Sequence, residues 1–295
     1  MRILVTGGEG QLAQSLAERA AVDPGLEIVA TSRAEADLSS AGSVAAAIAA
    51  IRPALVINAA AYTAVDLAEE EPALAFRINA EGAGEAAAAA REVGAPIIQL
   101  STDYVFAGDA AEPHREDAPT NPLSVYGRSK LAGEEAVRAA NPDHLILRTA
   151  WLYSPFGRNF LKTVVAAART RDVLAVVDDQ VGSPTSALDL ADGILAIARA
   201  WRQEPGLGRG RIYHLVGPEP MSWCAFAAAI MSECRRLGLP AAQVKPISTA
   251  EWPTAAARPR NSILDSGKFV RDFGIAMPDQ RASVRAVVER LASET

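Results

Sequence analysis

The chain has 295 residues, of which 49% are hydrophobic, and its 29 basic and 35 acidic residues give a formal net charge of -6 at pH 7. This length suits a large α/β domain with a smaller partner domain. The negative balance gives no general attraction to nucleic acid or anionic membranes, so we expect neither as a partner. The first residues contain no long apolar leader and no later run approaches membrane-spanning length, so we expect a soluble, cytoplasmic protein.

The first half of the chain alternates short aliphatic runs with longer alanine-rich runs. The short runs predict buried parallel strands, because they are too short for helices and show little polar alternation. They are "RILVT", "LEIVATS", "ALVINAA", "PIIQLST" and "HLILRT". Between them, stretches such as "QLAQSLAERAA" and "SVAAAIAAIR" predict helices. The alternation predicts an α/β fold with a doubly wound parallel sheet of the Rossmann type.

After Thr149 the pattern loosens into loops rich in Pro, Gly, Trp and Arg, where binding contacts tend to lie. We therefore predict a dinucleotide-binding domain over residues 1–150 and a smaller substrate-binding lobe over most of residues 151–295. A strand predicted near residues 211–217 would return to the Rossmann sheet. Cys224 and Cys234 lie ten apart in a predicted helix, a spacing that matches neither a short metal knuckle nor a redox pair.

The segment "VTGGEGQLAQSL" follows the first strand and opens the first predicted helix. It places Gly7, Gly10 and Ala13 at three-residue intervals, the wider spacing used by short-chain and extended dehydrogenases. Glycine permits a tight turn and a close approach of the backbone to pyrophosphate, and the helix N-terminus supplies N–H donors. The turn is interpreted as a dinucleotide site, with a ligand-free glycine-rich turn as the alternative.

The second predicted strand ends in "ATSRAEADLSS". Enzymes that prefer NAD often carry an acidic residue at this tip, whereas an arginine there can take the 2′-phosphate of NADP. Ser32 and Arg33 therefore favour NADPH, with NADH as the other option, and Asp37 and Leu38 would border the adenine. A solvated loop arginine is the competing interpretation of Arg33.

"NPLSVYGRSK" places Tyr126 and Lys130 four residues apart, on one face of a predicted helix. A free tyrosine has a pKa of about 10, and lowering it by about three units requires roughly 4 kcal/mol, which a nearby ammonium in a dry pocket can supply. Ser101 and Thr102 end a predicted central strand, where α/β sheets bind ligands, and a hydroxyl there would orient a substrate carbonyl.

Seven blocks occur in order along most of the chain: "TGGEGQLA", "LVINAAAYTAVDLAE", "LSTDYVF", "YGRSKLAGE", "ILRTAWLY", "DDQVGSPT" and "RPRNSILD". Together they resemble the dTDP-4-dehydrorhamnose reductases, a family within the extended short-chain dehydrogenases. Single blocks are widespread among sugar-nucleotide enzymes, but the combination of "TDYVF", "DDQVGSPT" and "RPRNSILD" is specific.

The resemblance implies reduction of the C4 ketone of dTDP-4-dehydro-6-deoxy-L-mannose to dTDP-L-rhamnose. It assigns the hydride to the nicotinamide and makes Tyr126 the proton donor. Lys130 would hold the nicotinamide ribose and lower the pKa of Tyr126, while Thr102 would hydrogen-bond the carbonyl.

The resemblance also implies binding residues in both halves of the chain. Cofactor contacts fall on Gly7, Gly10, Gln11, Leu12, Ala59, Ala60 and Tyr62, and substrate contacts on Val65, Thr102, Asp103, Tyr104, Tyr126, Trp151, Asn159, Gln180 and Arg258. Arg258 has a physical case as well, because a guanidinium fork suits phosphate. Trp151 has a core aromatic as its alternative, and Asn58 is expected to serve only the turn.

Some family members bind magnesium at a dimer contact, so Mg²⁺ and a homodimer are possible here, but no carboxylate cluster in the sequence identifies metal ligands. His114 stands where the family often has a tyrosine, which leaves the role of its loop open. None of the three histidines is predicted to be catalytic, and His144 and His214 are predicted to be structural.

Other functions remain open at this stage. Dehydratases of related fold need a glutamate where Tyr104 stands, which disfavours dehydration. A C4-epimerase would use the same Tyr and Lys. A non-catalytic dinucleotide-binding subunit, like the regulatory subunit of methionine adenosyltransferase, is the alternative from another class. The sequence leaves the sugar and the product stereochemistry open.

Overall fold

The computed structural model describes residues 1–293. Within them the strands, in chain order, are β1 (Arg2–Thr6), β2 (Glu27–Thr31), β3 (Leu55–Asn58), β4 (Ile97–Thr102), β5 (His144–Thr149), β6 (Leu152–Tyr153), β7 (Val173–Val177), β8 (Val181–Gly182), β9 (Thr185–Ser186), β10 (Arg211–His214), β11 (Met221–Ser222) and β12 (Gln243–Ile247).

The α-helices are α1 (Gln11–Ala20), α2 (Ser43–Ile51), α3 (Pro72–Phe76), α4 (Ala83–Glu92), α5 (Val125–Ala140), α6 (Phe160–Ala167), α7 (Ala187–Gln203), α8 (Trp223–Arg236), α9 (Gly267–Phe273) and α10 (Gln280–Ser293). A π-helical turn at Arg77–Gly82 leads into α4, and 3₁₀ turns occur at Leu67–Glu69, Asp103–Val105 and Thr249–Glu251.

Six strands form one parallel sheet in the order β2-β1-β3-β4-β5-β10. The chain runs outward from β1 to β2 and then returns to the other side of β1 with β3. This reversal places a crevice between the turns that follow β1 and β3, the position where open α/β sheets bind ligands. The predicted α/β class and its parallel sheet are confirmed.

Helices cover both faces of this sheet. One apolar core joins β1, β3, β4 and β5 to α1 and α7, and a second joins the opposite face to α2, α4 and α5. Alanines in α4 bring that helix close to the sheet, because a methyl side chain takes little space between layers.

A third core lies outside the main sheet. It is built from α6, α8 and α10 together with the parallel pair β7 and β12. Cys224 and Cys234 are buried free thiols of α8. The chain leaves this region to add β10 beside β5. No helix among the described residues is long and apolar enough to cross a bilayer.

The segment that precedes α5 is fixed by His114. Its ring stacks on Phe106 with a centroid separation of 4.3 Å and an interplanar angle of 3°. Its backbone forms a bridge with Leu264, and its carbonyl lies 3.2 Å from Nδ1 of the buried His214. His114 therefore packs against Phe106 through its ring and holds the loop to the chain near residue 264 through its backbone.

Candidate active site

One cavity of about 830 Å³ opens at the carboxyl ends of β1, β3, β4 and β5. The predicted site residues that line it are Gly7, Gly10, Gln11, Leu12, Arg33, Asp37, Leu38, Ala59, Ala60, Val65, Thr102, Asp103, Tyr104, Tyr126, Lys130 and Trp151. Five other predicted residues lie outside its lining: Ser32, Tyr62, Asn159, Gln180 and Arg258.

The glycine turn after β1 forms one wall. Gly7 has a φ of +74°, and a Cβ there would lie 3.1 Å from Cα of Ala60, so a side chain would be strained and crowded. Gly10 precedes α1 without a side chain to cap it, which leaves the N–H groups of the first helical turn facing the cavity. The turn has the backbone donors and the open approach that a pyrophosphate needs.

A buried hydrogen-bond chain supports this turn from below. The Thr6 hydroxyl donates to Asn58 at 2.6 Å and accepts from the Ala60 N–H at 3.1 Å. The Asn58 amide in turn donates to Gln99 at 2.8 Å. Asn58 thus braces the turns after β1 and β3, in the role predicted for it.

The tip of β2 is an exposed end of the cavity. The N–H and hydroxyl of Ser32 both donate to one Glu35 oxygen, at 2.7 and 2.8 Å, and this lowers the pKa of Glu35. The Arg33 side chain is 71% exposed and its Nε lies 3.4 Å from Asp37. Ser32 and Arg33, the two residues at this tip that could donate hydrogen bonds to a phosphate, therefore both have acidic partners.

The opposite, buried end holds the predicted proton donor. Ser124 caps α5 by accepting from the Gly127 N–H at 3.1 Å, which starts the helix so that Tyr126 and Lys130 share one face. Gly127 lies against the backbone carbonyl of Tyr104, where a side chain has no room. The rings of Tyr104 and Tyr126 meet edge to face at 5.6 Å.

Burial controls protonation at this end. Desolvation raises the pKa of Tyr126 to about 12, a shift that the Thr102 hydroxyl opposes by hydrogen bonding and the Asp103 charge reinforces. Desolvation also lowers the pKa of Lys130 to about 8, against the charge of Glu134. The expected lowering of the Tyr126 pKa is therefore not found in the protein alone, because desolvation of the phenolate dominates.

Lys130 is 4% exposed, and its ammonium donates to the Leu100 carbonyl at 2.7 Å. The neighbouring Thr102 hydroxyl donates to Asp103 at 2.9 Å and accepts from the Tyr104 N–H at 3.2 Å. Desolvation raises the pKa of the fully buried Asp103 to about 6. The three predicted catalytic side chains thus line one buried corner, with Asp103 beside them.

An indole pair closes the far side of the cavity. Trp151 has a left-handed backbone, φ +46°, and its ring stacks on Trp223 with centroids 3.4 Å apart and an angle of 5°. A Cβ on Gly182 would lie 2.5 Å from the Trp151 ring, so only glycine fits beneath it. Trp151 is cavity wall here rather than sheet core.

The five predicted residues outside the lining have other partners. Ser32 is held by Glu35, and the Tyr62 hydroxyl donates to Glu71 at 2.7 Å. Asn159 caps α6 and donates to Gln11, while Gln180 donates to Thr249. Arg258 forms a two-pronged pair with Asp66, at 2.6 and 2.7 Å.

Trp223 and Arg158 line the cavity but were not predicted as site residues. Both belong to segments that the sequence marks as binding loops, "GPEPMSW" and "WLYSPFGRNF". The composition of the loops identified these segments, but nothing local identified the two side chains. Only the tertiary fold brings Trp223 onto Trp151.

The residues present fit a dinucleotide. The cavity runs from the glycine turn and the β2 tip to Lys130, and at Gly7 a side chain would be both strained and crowded. For a metal ion no comparable set exists: residues 1–293 contain no group of three or more His, Cys, Asp or Glu side chains placed to hold one.

Comparison with known proteins places this site in a family. Residues 1–293 match the family described as RmlD substrate binding domain. A dTDP-4-dehydrorhamnose reductase of Sinorhizobium fredii is 45% identical over 100% of this chain and 99% of its own length.

Solved structures of two such reductases are also similar. That of Clostridium acetobutylicum is 38% identical, with a TM-score of 0.91 over 99% of this chain and 100% of its own. That of Bacillus anthracis, in complex with NADP, is 36% identical, with a TM-score of 0.88 over 100% and 99%. The chain belongs to the dTDP-4-dehydrorhamnose reductase family.

Proposed function

We propose that this protein reduces dTDP-4-dehydro-6-deoxy-L-mannose at C4 to give dTDP-L-rhamnose, with NAD(P)H as the reductant and Tyr126 as the proton donor. The observation that carries the proposal is the convergence of Thr102, Tyr126 and Lys130 in one buried corner of a cavity that continues to the glycine turn. The bound dinucleotide supplies the hydride.

Tyr126 suits the reductive direction because it holds its proton. With its pKa raised to about 12, the hydroxyl is protonated at neutral pH. A secondary alkoxide is more basic than a phenolate, so the proton moves to the sugar oxygen as negative charge develops there.

Lys130 and Thr102 prepare this transfer. The Lys130 ammonium is anchored on the Leu100 carbonyl and keeps further N–H donors for a ribose hydroxyl and for the charge left on Tyr126. Thr102 lies within hydrogen-bonding reach of Tyr126 and lowers its pKa slightly against burial. The indoles of Trp151 and Trp223 exclude water from one side of the site.

The finer assignments belong to the same proposal. Arg33 at the β2 tip supports NADPH, while the acidic partners of Ser32 and Arg33 support acceptance of NADH as well. A nucleotide sugar is the proposed partner, and Arg258 would reach its diphosphate only by leaving Asp66. The homodimer and cytoplasmic location stay predictions, and no group of side chains in residues 1–293 supports the magnesium ion that the family resemblance allows.

The test follows the absorbance of NADPH, and separately of NADH, with the purified protein and dTDP-4-dehydro-6-deoxy-L-mannose. We expect oxidation that depends on the sugar, and a loss of about 10²–10⁴-fold in kcat for Tyr126→Phe. Lys130→Ala should also abolish most activity. Tyr213→Phe is the matched control, because its hydroxyl contacts Asp272 away from the cavity and its loss leaves the rate unchanged.

The other functions give different results in this assay. A regulatory subunit would bind the dinucleotide without oxidising it, and an epimerase would convert the sugar with no net loss of NADPH. Either outcome, in protein that binds NADPH, would overturn the reductase proposal.

A further inference from the structure

A buried ion pair lies directly behind the catalytic lysine. Glu134, one turn after Lys130 on α5, accepts two parallel hydrogen bonds from Arg148 of β5, at 2.8 and 2.7 Å. The Ser101 hydroxyl donates to the same carboxylate at 2.5 Å. The side chains of Glu134 and Arg148 are each 2% exposed, so water does not screen the pair.

Such a pair is not explained by stability alone. Removing two charges from water costs several kcal/mol per ion, and well-packed apolar residues often replace a buried pair without loss of stability. Arg148 is not even fully satisfied, because its Nη1 is buried and has no hydrogen-bond partner within residues 1–293. A role that needs a fixed anion at this position accounts for the arrangement better.

The group that needs an anion is Lys130. Its ammonium is buried and has one hydrogen bond, to Leu100, so desolvation favours the neutral amine. Among the charged groups around it, Glu134 is the one that favours the ammonium. The other ionisable groups nearby act elsewhere. Tyr126, on the same helix, is neutral, and the Asp103 charge raises the pKa of Tyr126. Arg148 is paired with Glu134. His214, beside Arg148, stays neutral because burial lowers its pKa to about 3.

We propose that Glu134 is a positioning residue that keeps Lys130 charged, and that Arg148 and Ser101 fix its carboxylate for this purpose. The inference rests on the proposed function, since it assigns Glu134 a part in the same reaction. Ser101 directly precedes Thr102, so the end of β4 that carries the Thr102 hydroxyl also holds the Glu134 carboxylate.

The consequence is a shift in pH dependence. With Lys130 titrating near pH 8, kcat/KM should fall on the alkaline side of that value. Glu134→Gln keeps the size of the side chain and removes its charge, so Lys130 loses its proton at lower pH. We expect the alkaline fall of kcat/KM, the alkaline limb of the pH profile, to occur about one pH unit lower, which is about a tenfold loss of kcat/KM at high pH.

The experiment measures kcat/KM against pH for Glu134→Gln, Glu134→Asp and Glu135→Gln. Glu135 is the matched control, because it is exposed on the same helix one residue later. Glu134→Asp keeps the charge and should keep the limb, even if the protein is less stable. A wild-type limb in folded Glu134→Gln would overturn the proposal.

A second variant covers the case in which Glu134→Gln does not fold. Glu134→Met/Arg148→Met replaces the whole pair with apolar side chains of similar length, which preserves packing. A downward shift of the limb in this variant supports the proposal, and an unshifted limb rejects it.

Dinucleotide affinity separates this inference from the proposed function. The affinity for NADPH is measured by fluorescence against pH. As the pH rises, this affinity should begin to fall at a lower pH in Glu134→Gln than in wild type, because Lys130 is a proposed cofactor ligand. If wild type binds NADPH but does not reduce the sugar, the proposed reaction fails and this titration still decides the role of Glu134. If NADPH does not bind at all, both fail.

Discussion

The two ends of the cavity are built on different principles. At the buried end, Lys130 and Tyr126 are desolvated, their pKa values are shifted, and each has partners from other parts of the chain. At the β2 tip, Ser32, Arg33, Glu35 and Asp37 pair with one another within a few residues and remain open to water. The comparison suggests that substitutions at the buried end affect rate and stability together, while those at the tip adjust only the choice of cofactor.

The largest expected effect is that of Lys130→Met, which should reduce kcat/KM by about a hundredfold or more yet stabilise the protein. The pKa of Lys130 is lowered from 10.5 to about 8, so below pH 8 the folded state holds a charge that burial disfavours, at a cost of about 3 kcal/mol. This cost is relieved between about pH 8 and 10.5.

Denaturant unfolding against pH checks the prediction for Lys130. Wild type should gain stability through this alkaline window, and Lys130→Met should be more stable at neutral pH without that gain. Lys245→Met, at an exposed position of β12, controls for loss of a surface lysine. Equal stabilisation by both variants would contradict the argument.

An intermediate effect is expected for Gly182→Ala, at the glycine behind the Trp151 ring that lines the cavity. The new methyl group would meet the Trp151 ring at 2.5 Å and displace it from Trp223. Overpacking of this kind costs about 1–3 kcal/mol, and we expect KM for the sugar to rise about tenfold, a change worth about 1.4 kcal/mol. Gly206→Ala is the control, because no atom of the described residues, apart from those of its own chain neighbours, lies within 4 Å of its Cβ position. Unchanged sugar KM in Gly182→Ala would show that Trp151 does not shape the site.

The smallest effect belongs to the exposed tip. Glu35→Gln removes the negative charge that occupies the donors of Ser32, so a 2′-phosphate meets less repulsion there. We expect the affinity for NADPH to rise about threefold, with little change for NADH. Titration of both dinucleotides measures this ratio, with Glu27→Gln at the other end of β2 as the control. Equal changes for both dinucleotides would break the contrast between the two ends.

Local patterns predicted much of this architecture. The five strand runs of the first half begin and end within two residues of β1 to β5, because a buried parallel strand is apolar on both faces and so leaves a short aliphatic run. Tyr126 and Lys130 could be paired because helical spacing alone sets their common face.

Contacts between distant segments were not predictable in the same way. The resemblance makes Asn159 a substrate contact, and no local pattern shows that its amide caps α6 and bonds Gln11, which lies 148 positions earlier. Glu134 stands inside a recognised block, yet its importance depends on Arg148 from another element. The pKa of Tyr126 likewise follows from burial, which no spacing of residues encodes.

Strand β10 has a consequence for how the protein is made. The outer side of β5 pairs with residues 211–214, which leave the ribosome long after His144–Thr149. Until then the nascent chain exposes β5, a strand that is fully buried in the folded protein. One row of its backbone groups is then unpaired and can serve as a template for pairing with other chains. A fragment that stops after Thr149 would keep that defect permanently, so we expect it to precipitate unless Arg211–His214 is added back as a separate peptide or fused through a linker.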